Sequence, residues 1–89
     1  MTRVVITLEH EDGMNWVVAS ERVVGYASLT RAEAFRDGFE AQQRGVKRHE
    51  GDRYQAPEER TGVHRRRMLD AWRSGWDFAA VSAETEDER

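Results

Sequence analysis

The chain has 89 residues, enough for one compact domain and too few for two independent hydrophobic cores, which take about 50 to 200 residues each. Apolar residues make up 38% and charged residues 35%, so the core must be small and the surface densely charged, and the lack of cysteine excludes disulfides, thiolate metal sites and a cysteine nucleophile. The formal net charge is −3, no apolar run approaches the roughly 20 residues that cross a bilayer, and no signal-like stretch opens the chain, so a cytoplasmic protein with no membrane partner is expected.

The first third reads as strands. Val4, Ile6 and Leu8 alternate with Val5, Thr7 and Glu9, a period of two that sends apolar side chains to one face. Asp12-Gly13 is a hairpin signal, because glycine accepts the positive φ of tight hairpin turns. Beyond it, Trp16-Val17-Val18-Ala19 and Val23-Val24-Gly25-Tyr26 are rich in β-branched and aromatic residues and are separated by the polar Ser20-Glu21-Arg22. These segments predict a three-stranded antiparallel meander over about 3–9, 15–20 and 22–27.

Helical signals follow. Thr30-Arg31-Ala32-Glu33 has the form of a capping box, with Thr30 accepting from the first turn and Glu33 reaching back to the Thr30 amide. Ala32, Phe35, Phe39 and Gln42 then share a stripe, and Gly45 supplies a stop, so a helix is expected over about 31–44. Gly38 lies inside it at a cost of about 1 kcal/mol relative to alanine, which marks close approach of another element. Residues 46–58, with Gly51 and Pro57, read as a loop. Met68, Leu69, Trp72, Trp76, Ala79 and Ala80 return to three-and-four spacing, predicting a second helix over about 62–81. Arg66, Asp70, Arg73 and Asp77 take its opposite side, spaced for surface ion pairs. The fold class is therefore α+β, a meander followed by a packed helical pair, with residues 1–82 as one domain and 83–89 as a disordered acidic tail.

Ala34-x-x-x-Gly38-x-x-Ala41-x-x-x-Gly45, a linker containing tyrosine and proline, and then Arg67-x-x-x-x-Trp72-x-x-Gly75-Trp76 together resemble the ribosome modulation factor family of short bacterial and phage proteins. The resemblance covers roughly residues 32–80 and implies two helices joined by a linker that bind ribosomal RNA and hold ribosomes inactive. Here Tyr54 precedes Pro57, whereas the family places proline directly before tyrosine, and the strand block has no counterpart in its short members. Residues 3–44 also resemble antitoxin subunits of the HicB type.

The charge pattern bears on partners. Residues 1–41 carry four arginines against seven acids, residues 42–75 carry nine basic residues against five acids, and residues 76–89 carry one arginine against five acids. The balances are thus −3, +4 and −4. Arg44, Lys47, Arg48, Arg53, Arg60, Arg65, Arg66 and Arg67, with Tyr54 as a stacking candidate, form the expected nucleic-acid-binding set. Three consecutive helical arginines fan over about 200 degrees, which suits following a phosphate backbone better than gripping one compact anion. Their alternative is a solvated face paired with Glu50, Glu58 and Glu59. The acidic tail could fold back on this block and compete with a polyanion.

Trp72 and Trp76 fit core packing, with Gly75 leaving room for a crossing helix, and also fit interface anchors. His10, His49 and His64 are scattered with no metal-ligand spacing, and no phosphate loop, dinucleotide fingerprint or nucleophile elbow is present. No catalytic residue, metal or cofactor is therefore assigned. The expected function is a small non-catalytic protein that binds the ribosome or RNA. The alternative is a phage or bacterial module that binds and modulates a host protein, with a homodimer through a meander edge open in either case.

Overall fold

A computed structural model describes residues 5–11, 14–19, 22–26, 29–53 and 62–87. Three strands, β1 (Ile6–Glu11), β2 (Met14–Ala19) and β3 (Arg22–Tyr26), form an antiparallel sheet in the order β1-β2-β3. The meander is therefore present, with β1 displaced toward the turn. Its pairing runs on until Glu11 faces Met14, which leaves two residues, Asp12 and Gly13, between the strands. That is the length an Asp-Gly hairpin takes. Positions 3 and 4 of the expected first strand, and Asp12, Gly13, Ser20 and Ala27, lie outside the described residues.

Register sorts the side chains by face. Ile6, Leu8, Asn15, Val17, Ala19, Val24 and Tyr26 share the face toward the helices, and Val17 and Ala19 are fully buried there. Thr7, Glu9, Trp16, Val18, Val23 and Gly25 share the other. Gly25, inside the third strand, faces Trp16 in register, and a Cβ at Gly25 would sit 2.6 Å from Trp16 Cζ3. The indole of one strand thus covers the missing side chain of the next, so the glycine is compatible with the ladder.

Helix α1 (Leu29–Gln43) crosses the sheet at β2, and Ala32 and Phe35 bury against Val17 with Ile6, Leu8 and Val24 around them. It begins two residues before the expected start at 31, so Thr30 lies inside the first turn and does not cap the helix. Sequence offers a second hydroxyl residue, Ser28, immediately ahead of Leu29, and a helix takes whichever cap its connection to the sheet permits. Ser28 lies outside the described residues. The far end follows the expected stop. The Val46 amide donates to the Ala41 carbonyl and the Gly45 amide to the Gln42 carbonyl, with Gly45 at φ +86°, a Schellman closure in the region where glycine carries no Cβ penalty.

Within the expected loop the chain forms a short 3-10 helix, Arg48–Arg53. Glu50 reaches back so that its carboxylate accepts the Lys47 amide at 3.1 Å, the reciprocal half of a capping box, while the Glu50 amide donates to the Lys47 carbonyl. The sequence signal was Glu50 three residues after Lys47, hidden because lysine is not a cap-forming residue type.

Helix α2 (Gly62–Asp87) starts at the expected position and extends past the expected end near 81, through Asp87. Ala83, Glu84 and Glu86 are strong helix formers, and propagating an existing helix needs no new nucleus. The unfavourable dipole contact of a few carboxylates is worth only about 0.3–1 kcal/mol each.

Two glycines set how the helices meet. A Cβ on Gly38 would run into the backbone carbonyl of Trp72, and a Cβ on Gly75 into the carbonyl of Phe35. Each helix therefore lays its bare backbone against the other, as Gly38 and Gly75 predicted. Ala34, Met68 and Ala71 close the seam on one side, with Tyr26 packed against them from the sheet. Phe78, two turns beyond Ala71 on the same face of α2, packs against the sheet-side cluster, its ring centroid 6.0 Å from that of Phe35 and 6.1 Å from that of Phe39. The strand block thus packs on both helices. The molecule is flat, 44 × 32 × 14 Å, as befits one helix layer on one sheet layer.

Candidate functional site

After Gly45 the chain turns back along α2, and three contacts hold it there. The Trp76 indole Nε1–H donates to the Val46 carbonyl at 2.8 Å. Arg48 binds Asp77 through two parallel bonds, Nε to Oδ1 at 2.8 Å and Nη2 to Oδ2 at 3.1 Å. Gly51 is buried flat on the Trp72 indole, so closely that a Cβ there would strike the ring. Residues 46–51 therefore form a strap that runs from the level of Asp77 toward the level of Trp72. Both tryptophans of the sequence motif are committed to holding it.

The nine expected binding residues divide on this frame. Arg44 follows α1, Lys47 and Arg48 open the strap, and Arg66 and Arg67 lie in the early turns of α2; all five side chains are exposed. Arg53 ends the 3-10 helix and Arg65 lies in α2, with side chains outside the described set, and Tyr54 and Arg60 lie outside it altogether. Arg48 differs from the others because its guanidinium is engaged by Asp77, with both groups about half exposed. An exposed pair of this kind is worth roughly 0–1 kcal/mol, so it orients Arg48 more than it stabilises the fold.

Position along α2 separates the cations into two groups. Lys47 and Arg48 stand beside Trp76 and Asp77, about ten residues beyond Arg67, which at 1.5 Å per residue is on the order of 15 Å. Between them Asp70 is exposed and Arg73 half-buried, so the solvent side of α2 alternates in sign. A compact anion cannot reach both groups. An extended polyanion can.

Compared with protein-family models, with curated proteins and with solved structures, the chain matches none.

The sequence reading missed the role of Arg22, which it took for a polar spacer. Its guanidinium carbon lies 5.8 Å from the centroid of the Phe78 ring, a cation–π contact that ties the start of β3 to α2. With Ser74, Asp77, Phe78, Val81 and Ser82 it lines an open groove of about 340 Å³ between the free side of β3 and α2. Among the described residues no cluster of potential metal ligands occurs. Among the described residues, the buried Asn15 Oδ1 on the helix side of β2 and Trp16 Nε1 on its outer side have no hydrogen-bond partner.

Tyr26 is half-buried where the sheet meets the helices. Burial against the helices raises its pKa above the ordinary tyrosine value, while the charge of Arg31 and a hydrogen bond with Ser74 pull it down by less. A raised folded-state pKa stabilises the fold fully below the unfolded value and loses that contribution as pH rises through the folded one. Thermal stability is therefore expected to fall above about pH 10, and Tyr26→Phe should remove that part of the fall. Melting temperatures of both proteins between neutral pH and pH 11 check this, and parallel curves would refute it.

Proposed function

We propose that this is a small non-catalytic binding protein that engages RNA, with the ribosome as the assembly its resemblance to ribosome modulation factor points to. Supporting this reading is the exposure of Arg44, Lys47, Arg66 and Arg67 around a strap fixed to α2, none of them in an ion pair among the described residues. Fixed backbone beneath flexible cations lowers the ordering cost of contacting a phosphate chain. Arg53, Tyr54, Arg60 and Arg65 belong to the proposed surface by sequence. A cytoplasmic location fits the same reading.

Salt dependence tests it. Binding to ribosomes or structured RNA should weaken linearly in log salt concentration, with each lost phosphate contact flattening the slope by about 0.7–0.9. Replacing Arg66 and Arg67 together with glutamine should flatten it by roughly 1.4–1.8 and weaken binding alike across RNA sequences. Salt-independent binding, or failure to co-sediment with ribosomes at low salt, would defeat the proposal.

The second reading is a phage or bacterial module that binds a host protein. The alternating signs of Arg66, Asp70, Arg73 and Asp77 favour it, because mixed charge suits a protein surface better than a polyanion. Capture from lysate with and without nuclease separates the two, since only a protein partner survives the nuclease.

A further inference from the structure

The cations of the basic block are carried on a rigid frame. Helix α2 is unbroken from Gly62 to Asp87, and the strap is held against it at Val46, Arg48 and Gly51. Arg66 and Arg67 stand near one end of this frame. Lys47, with Arg48 beside it, stands at the level of Trp76 and Asp77, on the order of 15 Å along the helix. A flexible single strand gains little from so fixed a spacing, whereas a double helix has a spacing of its own.

An acid stands between the two groups of cations. Asp70 is exposed, and among the described residues no ion pair engages its carboxylate, whereas that of Asp77 is taken by Arg48. A single strand carries a phosphate every few ångströms, so one laid from Lys47 to Arg66 would bring phosphates onto Asp70. Single-strand sites also stack bases on aromatic rings. Here Trp72 is 4% exposed, Trp76 is half-buried with its N–H bonded to Val46, and Trp16 lies on the sheet face away from the helices. Among the described residues no tryptophan therefore stands free beside these cations.

A-form RNA presents the matching order of charge. Its two phosphate rails flank a wide, shallow minor groove that displays 2′-hydroxyls and no phosphate. Resting on the reading that the partner is RNA, we infer that the site takes double-helical RNA across its minor groove. Lys47 meets one phosphate rail, Arg66 and its neighbour Arg67 meet the other, and the Asp70 carboxylate accepts from 2′-hydroxyls between them. The acid that would repel a continuous strand is then a contact, and one that duplex DNA cannot make, because it has no 2′-hydroxyl. The alternating signs of α2 thus fit a duplex as well as they fit a protein surface.

Three probes test this against the full chain at low salt: an RNA duplex of about 16 base pairs, one of its strands alone, and the DNA duplex of the same sequence. The RNA duplex should bind at least about tenfold more tightly than either of the others. Asp70→Ala separates contact from charge. Removing a negative charge alone tightens binding to every polyanion, whereas losing the acceptor should weaken RNA-duplex binding about threefold or more and leave the other two probes bound as tightly or more so. Asp70→Asn, which keeps an acceptor oxygen, should retain the duplex preference. Asp70 is exposed and alanine favours the helix, so an undiminished melting temperature shows that the fold is intact. Equal or tighter binding of the single strand or the DNA duplex, or tighter RNA-duplex binding by Asp70→Ala, would overturn the inference and leave the RNA reading standing. Binding to none of the three would overturn it too, and ribosome co-sedimentation would then decide the RNA reading by itself.

Discussion

Replacing either Gly38 or Gly75 with alanine should destabilise the protein by about 2 kcal/mol or more, even though alanine is the better helix former by about 1 kcal/mol. The steric term wins because the obstructing atoms are backbone. At Gly38 the new methyl meets the Trp72 carbonyl, and at Gly75 it meets the Phe35 carbonyl and lies 3.0 Å from the Phe39 amide nitrogen. No rotamer change relieves such a contact, so the helices must move apart, and Ala34, Phe35, Phe39, Met68 and Ala71 lose packing together. The two replacements serve one crossing, so the double variant should cost less than the sum of the singles. Gly45 is the control. A Cβ there meets nothing, yet φ is +86°, so Gly45→Ala should cost only about 1 kcal/mol, through backbone strain. Urea midpoints with unchanged slopes check the series, and an alanine at 38 or 75 as stable as wild type would show that the seam is loose.

Those glycines were legible from sequence because a glycine inside a helical pattern carries a cost that only close packing offsets. The meander was legible for a similar reason, since its alternation and the Asp-Gly pair both report local backbone geometry. Start and stop signals fared unequally. Gly45 ends α1 as expected, because positive φ admits few other residues. Thr30 does not begin it, because a hydroxyl residue followed by glutamate three positions on is a common pattern that does not by itself fix a start, and the helix already runs from Leu29.

What stayed hidden depends on contacts between distant parts of the chain. Phe78 lay outside the expected stripe of α2, since that stripe assumed a single neighbour. Helix α2 has three, α1, the strap and the sheet edge, and Phe78 faces the junction of α1 with the sheet, with Arg22 over its ring. The strap was equally invisible, because a loop of mixed charge gives no sign that Asp77, twenty-nine residues later, will hold Arg48. That pairing also changes the reading of the basic block. Part of its charge is internally compensated, so counting arginines from sequence overstates the field that a polyanion meets.

Trp72→Ala should be the most damaging single truncation in the chain, at about 3–5 kcal/mol. Trp72 is 4% exposed, its backbone receives Gly38 and its ring receives Gly51, so it joins the helical seam to the strap. Its loss opens a cavity that Gly51, lacking a side chain, cannot fill by collapse. The other strap contacts rank below it. Trp76→Phe keeps most of the ring but leaves the Val46 carbonyl without its donor, which should cost about 1 kcal/mol. Arg48→Ala breaks a half-exposed ion pair and should cost about 0–1 kcal/mol. Hydrogen exchange adds the local readout, since residues 48–53 should lose protection most in Trp72→Ala and least in Arg48→Ala. If Arg48→Ala freed the strap while Trp72→Ala left it protected, the anchor would be electrostatic and high salt alone should release it. With an aromatic anchor, salt should instead weaken the RNA contacts proposed for Arg44 and Lys47 while the backbone that presents these side chains stays in place, so binding and strap protection should separate in one titration.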